Sequence, residues 1–415
     1  MNVAIVLMKY NPFGGYERQA ALVARALVAR GDSVTVFASE WKSDTSSESA
    51  PKPDGSAGSL KFHKVPIVRL SSWLKVLSFA LRARREVRRT KRSFDCVVAF
   101  DRTLEMDLYR AGNACHKEWL AFRGVHGGVG DRLSVAVNML HKVINTIEAH
   151  IFARVASGTA RAVVLSKSGA EGIARHYPVD ANSFTVIPPA IDLARLDTES
   201  GAKSRSREAV RKELGVSPGA TGSSGTHLLL HVGSGFKIKG LKSTIEAVSV
   251  LAGRGVDAVL VVAGSDRKES ARCKTLARTL GIEERVKFLG GVENVAELYT
   301  AADLFIVPSL FETFGVVFME ALYMGLPVVV GAGAGAASAV DEAGTEAGRV
   351  VDVPAVPEKL AESVEELLAQ ERKFKESGEL DGVKKRRREC ALLSAPERVI
   401  KEFLAEIDAA AGLSK

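Results

Sequence analysis

The stretch Pro308-Ser-Leu-Phe-Glu-Thr-Phe-Gly-Val-Val-Phe-Met-Glu320 sets two carboxylates, Glu312 and Glu320, eight residues apart around a loop-to-helix junction. Ahead of the junction, Leu304-Phe-Ile-Val-Pro308 is a short apolar run of the kind that forms a parallel strand buried on both faces. From Gly315 onward the composition is helical, and Gly325 followed by Pro327 marks the stop. The amides of Phe314, Gly315 and Val316 therefore fall at a helix N-terminus, where unsatisfied N–H groups and the helix dipole favour an anion such as a diphosphate. At a rise of about 1.5 Å per residue, the two carboxylates flank that point on the order of 10 Å apart. This spacing suits a nucleotide-sugar, with one carboxylate on sugar hydroxyls and the other on ribose hydroxyls. Two glutamates near a helix start also serve the dipole and solvent alone, so the motif by itself leaves both readings open.

Two other loops carry the same kind of signal. Val3-Ala-Ile-Val-Leu-Met8 reads as a strand, Lys9-Tyr-Asn-Pro-Phe-Gly-Gly15 as a loop, and the residues from about Tyr16 to Arg30 as a helix stopped by Gly31, with a second strand at Ser33–Ala38. Gly14 and Gly15 let the backbone approach a ligand at the carboxyl end of the first strand, where open α/β sheets bind. Further on, His231-Val-Gly-Ser-Gly-Phe-Lys-Ile-Lys-Gly240 follows the apolar Leu228–Leu230 and opens a helix through about Leu251. Strands at Ala258–Ala263, Val286–Leu289, Leu304–Val307 and Val328–Val330 then alternate with helices, a rhythm that implies a parallel sheet covered on both faces.

Taken together these motifs resemble the retaining GT-B glycosyltransferases of family 4. E-x7-E after a strand ending V-P-S is similar to that family's donor site, and K-Y-x-P-F-G-G-x-x-R resembles the start of its bacterial lipopolysaccharide core glucosyltransferases. The resemblance implies an α/β fold with two Rossmann-like domains facing across a central cleft. It implies a Gly14-Gly15 loop over the donor phosphates, and a cleft completed by domain closure. Lys239 matches the family's lysine toward the leaving diphosphate. Ile238 stands where the core glucosyltransferases have Arg, and Lys237 is the nearby substitute, a point charge in place of a guanidinium fork. The turn Gly290-Gly-Val-Glu-Asn294 falls where the family holds the nucleotide base, which makes the Val292 backbone a candidate contact, with an ordinary loop as the other reading. Asp107-Leu-Tyr-Arg-Ala-Gly-Asn-Ala-Cys-His116 resembles the segment in which an acidic residue or a His faces the anomeric carbon. Here the acidic position is Asn113. Either His116 carries the polar role, or the donor phosphate takes the acceptor proton, and His116 is equally open to a structural reading.

A chain of 415 residues with 46% hydrophobic composition holds two domains, each able to bury a core. The resemblance and the composition shifts place an acceptor-binding domain at 1–186, with Ala162–Leu165 as its last strand, and a nucleotide-sugar-binding domain at 187–388. A C-terminal helix at 389–415 packs back on the first domain. Ser43–Ser59 reads as a mobile insert and Thr198–Gly225 as an exposed connection with a short helix. Pro357–Arg388 reads as helical surface. Four cysteines without C-x-x-C spacing and the lack of a secretory pattern fit a reducing cytoplasm. No run reaches the roughly 18 to 20 apolar residues of a spanning helix.

The net charge is +8, and seven of the eleven residues from Arg82 to Arg92 are basic, directly after the apolar Trp73–Leu81. A helix so composed lies on an anionic bilayer or simply presents a solvated basic face. A second such segment runs from Glu118 to about Val155. No helix-turn-helix, zinc-finger or aromatic-basic pattern accompanies the charge, so no nucleic-acid partner is expected. The absence of a D-x-D triad points to no metal, and no cofactor is expected beyond the donor. The resulting reading is a retaining, metal-independent hexosyltransferase, peripheral on the inner face of the cytoplasmic membrane, moving glucose from UDP-glucose to a heptose of the lipopolysaccharide core. A family 4 transferase with another donor or acceptor, and a catalytically silent membrane-associated scaffold, are the alternatives.

Overall fold

The structure, a computed structural model, describes residues 1–11, 15–42, 58–90, 93–128, 130, 134–135, 137–197, 205–216 and 225–412. Gly14, most of the Ser43–Ser59 insert and parts of Thr198–Gly225 lie outside the described residues.

The chain divides into two compact units, Met1–Pro189 with the C-terminal segment from Glu397, and Ala190–Pro396. The sequence analysis set these divisions at 186 and 388. In the first unit the strands are β1 (Asn2–Val6), β2 (Lys9–Tyr10), β3 (Ser33–Ala38), β4 (Glu40–Trp41), β5 (Ser59–Lys64), β6 (Cys96–Ala99), β7 (Leu108–Ala111), β8 (Arg161–Val164) and β9 (Phe184–Val186). Its helices are α1 (Gly15–Arg30), α2 (Ser72–Thr90), α3 (His116–His126), α4 (Met139–Ala156) and α5 (Lys167–Ala174). Seven strands form one parallel sheet in the order β5-β3-β1-β6-β7-β8-β9. The chain builds outward from β1 in one direction and resumes at β6 in the other, so the order reverses between β1 and β6.

The central strands are apolar because both their faces are covered: Val3, Ala4, Ile5 and Val6 have no exposed surface. The edge strand β5, Ser-Leu-Lys-Phe-His-Lys, is mostly exposed and carries Lys61 and Lys64, which suits an edge but not the apolar pattern by which strands were sought. Strand β9 was missed for a similar reason, being three residues long and only partly buried. In α2, Phe79, Ala80, Ala83 and Val87 are the buried stripe. Among the described residues, the amphipathic segment expected from Glu118 to Val155 holds two separate helices, α3 and α4, rather than one.

The second unit holds β10 (His227–Val232), β11 (Ala258–Ala263), β12 (Val286–Gly290), β13 (Leu304–Val307), β14 (Val328–Gly331) and β15 (Gly348–Val351). Its helices are α6 (Leu193–Leu196), α7 (Arg207–Glu213), α8 (Leu241–Gly253), α9 (Arg267–Thr279), α10 (Val295–Ala301), α11 (Val316–Tyr323), α12 (Ala337–Glu342), α13 (Pro357–Ser377) and α14 (Leu380–Ala391). The sheet is parallel in the order β12-β11-β10-β13-β14-β15, reversing between β10 and β13. Leu229, Leu260 and Ile306 of the sheet share a core with Leu241, Ile245 and Val248 of α8 and Leu360, Val364 and Leu367 of α13.

The run Lys384–Arg388 is helical and exposed as expected, except at Arg387. Arg387 is 1% exposed and donates to the carbonyls of Glu346 (2.6 Å) and Gly325 (2.9 Å) and to the Glu371 carboxylate (3.1 Å). Arg386 forks onto the Glu346 carboxylate at 2.6 and 3.0 Å, and Arg388 donates to the Tyr323 carbonyl at the end of α11. These contacts keep α14 with the second unit and move the boundary from 388 to 396. The last helix, α15 (Pro396–Ala411), packs in the first unit: Phe403 lies 5.6 Å from the Phe100 ring, Glu406 takes both arms of Arg161 at 2.7 and 3.1 Å, and Asp408 meets Arg30 at 2.9 Å.

Removing Arg387 leaves a carboxylate and two carbonyls without their buried donor. Arg387→Ala is expected to lower the unfolding free energy of the second unit by about 3 to 5 kcal/mol, measured by urea denaturation.

Candidate functional site

Three loops meet at the carboxyl edge of the second sheet, beside the reversal between β10 and β13. The loop carrying Glu312 is pinned through its own backbone. Glu312 N–H donates to the Gly333 carbonyl at 2.9 Å, its carbonyl accepts from Gly335 N–H at 3.0 Å, and the Phe314 carbonyl accepts from Ala336 N–H at 2.8 Å. Leu310 N–H reaches the Ile238 carbonyl at 2.8 Å, which ties in the third loop. Gly240 belongs to that loop with φ 71°, and a Cβ there would sit 2.4 Å from the Pro308 carbonyl oxygen, so only glycine permits the approach.

This packing brings Lys239 to Glu312. Their ammonium and carboxylate form a short ion pair, with the two side chains 14% and 24% exposed. Gly315 caps α11 with φ 94°, and a Cβ would fall 2.6 Å from the Phe318 ring and 3.3 Å from Glu312 Cγ. No side chain caps that helix start, which leaves its first amides as an electropositive site beside the Lys239–Glu312 pair. Phe314 is buried below it.

Glu320 lies on the next turns of α11, where its carboxylate accepts from the Tyr299 hydroxyl at 3.0 Å. Tyr299 has no exposed surface, and burial together with the Glu320 charge holds its phenol well above the usual range, so it remains a donor. Val292 is half-buried in the turn after β12, and Arg195 of α6 steadies that turn through the Glu293 carbonyl at 3.2 Å. Lys237 is exposed. Ile238 contributes its carbonyl to the loop packing and no charge.

Sequence reasoning missed Tyr299 and His231. The -Leu-Tyr- of α10 reads as core, and only the fold reveals that its hydroxyl reaches Glu320. His231 lies one residue before the end of β10 with no exposed surface, and among the described residues neither ring nitrogen has a hydrogen-bond partner of good geometry. Burial, with the Lys239 charge nearby, lowers its pKa to about 3.

The first unit's candidates separate. Gly15 begins α1, while Gly14 is outside the described residues. Asn113 is exposed just before α3. His116 is the first residue of α3 and is buried. Its backbone N–H meets the Glu148 carboxylate at 2.9 and 3.1 Å, and its Nε2 lies 3.0 Å from His141 Nδ1. Burial first, and the Arg102 charge second, lower the His116 pKa to about 4. Glu148, itself buried, also takes Arg102 Nε at 2.7 Å and the Tyr177 hydroxyl at 3.1 Å. His116 is thus built into a helix-start network centred on Glu148, a role that its sequence position alone left open. None of the four cysteines forms a disulfide. Among the described residues no group of three His, Cys, Asp or Glu side chains is placed to hold a metal, and no helix is long and apolar enough to cross a membrane.

Two parallel α/β sheets, each reversing its strand order, with a lysine–glutamate pair and an uncapped helix start on the second, define a GT-B glycosyltransferase. Family models agree: Glycosyltransferase Family 4 matches residues 13–195, and Glycosyl transferases group 1 matches 220–380. The chain is similar to lipopolysaccharide glucosyltransferase WaaG of Escherichia coli (strain K12), 29% identical over 371 residues that cover 89% of this chain and 90% of that protein. The crystal structure of WaaG, a glycosyltransferase involved in lipopolysaccharide biosynthesis, superposes with a TM-score of 0.70 at 28% identity, covering 96% of this chain and 99% of that one. A D-inositol 3-phosphate glycosyltransferase of Corynebacterium kroppenstedtii is 31% identical over a shorter stretch, 44% of this chain and 40% of that protein.

His231 is held neutral in the folded chain but charges in the unfolded one. Protons therefore bind the unfolded state more as pH falls from about 6.5 toward 3, and stability falls with pH over that window. In His231→Leu the thermal midpoint of the second unit is expected to fall less between pH 7 and 4 than in the parent, measured by calorimetry.

Proposed function

We propose that the chain is a retaining, metal-independent hexosyltransferase that takes glucose from UDP-glucose and delivers it to a heptose of the lipopolysaccharide inner core. The observation that supports this reading most directly is the Lys239–Glu312 pair beside the uncapped start of α11. A lysine ammonium has three donors. One is engaged by Glu312, and the others are available to the oxygens of a departing diphosphate, whose remaining charge falls on the amides of Gly315 and Val316. Glu312, oriented through its own backbone, accepts from hydroxyls of the transferred sugar, and Glu320, oriented by Tyr299, accepts from the ribose. The Val292 turn borders the base.

In this scheme the bond from the anomeric carbon to the phosphate oxygen breaks with an oxocarbenium-like centre, and the acceptor oxygen bonds to the same face. The acceptor proton passes to the departing phosphate oxygen, so no protein base is needed at Asn113 or His116 and no cofactor enters. The choice of sugar and acceptor rests on the similarity to WaaG, by its name a lipopolysaccharide glucosyltransferase.

An anionic membrane surface is the proposed site of work. The outer face of α2 carries half-buried Leu74 and Leu77, exposed Leu81 and then exposed Arg85, Arg88 and Arg89, with Leu70 88% exposed just before it. Arg88 is engaged by Glu105 at 2.7 Å, which leaves Arg85 as the central cation of that face for lipid headgroups. The proposed location is the inner face of the cytoplasmic membrane. A silent scaffold is the competing reading, motivated by Ile238 and Asn113.

Calorimetry with a panel of nucleotide-sugars, followed by transfer to a heptose-terminated core acceptor, tests the reading. Binding of UDP-glucose that Glu320→Ala abolishes, with turnover reduced at least a hundredfold in Lys239→Ala and Glu312→Ala, is the expected result. Failure of every nucleotide-sugar to bind overturns it in favour of the scaffold. Tyr299→Phe deletes a hydrogen bond to a charged group worth about 1.5 to 3 kcal/mol. It is expected to weaken donor affinity roughly tenfold or more and, because the same bond is lost in the free protein, to lower the thermal midpoint of the second unit by several degrees.

A further inference from the structure

We propose that Asp101 is the acceptor-binding carboxylate of the first unit, its crevice-side oxygen accepting a hydrogen bond from a hydroxyl of the acceptor saccharide. The inference rests on the transferase reading above.

The first sheet reverses its strand order between β1 and β6, and open α/β sheets bind ligands outside the carboxyl ends of the strands at such a reversal. Val6 pairs with Ala99 across that boundary. Two residues further along each strand come Met8 and Asp101, at the same level and at the point where the Lys9–Gly15 loop departs. Asp101 Oδ2 accepts from the Met8 N–H at 2.6 Å. Among the described residues its other oxygen has no hydrogen-bond partner, and the side chain is only partly buried. One oxygen therefore joins the two central strands while the other remains for a ligand.

The neighbouring residue connects this position to the acceptor segment read from the sequence. Arg102 donates to the Ala114 carbonyl at 3.1 Å and to Glu148 at 2.7 Å, holding the turn of Asn113 and His116 beside the end of β6. Asn113, on the adjacent strand end, has no carboxylate to offer, and the His116 ring is engaged with His141. Asp101 supplies a carboxylate at this edge, where Glu17 of α1 is the other acid acting on it. Burial raises its pKa. Glu17 of α1 adds to that rise, while the Met8 N–H, Arg102 and Lys75 of α2 oppose it.

Asp101→Asn separates the two oxygens. The amide oxygen still accepts from Met8, so the strand junction stays intact, but the group presented to the ligand becomes an N–H donor. The expected result is a rise of at least tenfold in KM for a heptose-terminated core oligosaccharide. UDP-glucose affinity and UDP-glucose hydrolysis without acceptor stay as in the parent. In the parent, the acceptor KM is expected to rise as pH falls through the raised Asp101 pKa, and in Asp101→Asn that dependence disappears. A purely structural strut predicts parental acceptor KM and an unaltered pH profile in Asp101→Asn, and that outcome overturns the assignment. An acceptor KM in the parent that stays flat from pH 8 to about 4 overturns it as well, without recourse to the variant. Loss of UDP-glucose binding by the parent is a different failure, that of the transferase reading.

Discussion

The second unit depends on how the peptide of Glu312 is held. A carboxylate on a flexible loop would sample many positions, but here the N–H and C=O of Glu312 both bond to the 331–336 loop, while its neighbour Leu310 bonds to Ile238. Three segments distant in sequence are locked together by main-chain hydrogen bonds, independent of which side chains decorate them. Gly240 and Gly315 are needed because the backbones approach closer than a Cβ allows. The Lys239–Glu312 ion pair follows from this closure. It gives direction to an ammonium that would otherwise be a mobile surface charge.

The positive charge of the chain divides into structural and available portions. Arg387, Arg386 and Arg388 are engaged by carbonyls and carboxylates around α11, so the densest basic run of the second unit is a clamp that steadies the helix carrying Glu320. Arg102 and Arg161 serve similarly in the first unit, through Glu148 and Glu406. On α2 the balance differs, because several of its cations follow exposed Leu81 and half-buried Leu74 and Leu77 with few acids in reach. Charge that is equivalent in a composition count is thus unequal in what it can do for a partner.

The two units solve the same problem of orienting a polar group differently. In the second, buried Tyr299 steers Glu320 through a hydrogen bond from its neutral phenol to the carboxylate. In the first, Glu148 gathers Arg102, Tyr177 and the start of α3. Both devices are buried, where a hydrogen bond is strengthened by low polarity and a missing partner is costly. His231 is an exception, a buried neutral ring whose nitrogens find no partner of good geometry among the described residues, and it makes the second unit sensitive to acid.

The sequence by itself determined the parallel strands and the loop-to-helix junctions, because runs such as Ala258–Ala263 and Leu304–Val307 are apolar for being covered on both faces. It also singled out Glu312, Glu320 and Lys239 as candidates, since the spacing E-x7-E and the K-G pair are local, while the pairing of Lys239 with Glu312 came from the fold. The polar edge strand β5 and the short β9 escaped notice, as neither carries the apolar run of a buried strand. Tertiary structure alone decided that Tyr299 meets Glu320 across 21 residues, and that Met8 meets Asp101 across 93. It also decided that Arg387 is buried while Arg85 is exposed. Those outcomes depend on strand order and on which helix covers which face, and no local spacing encodes either.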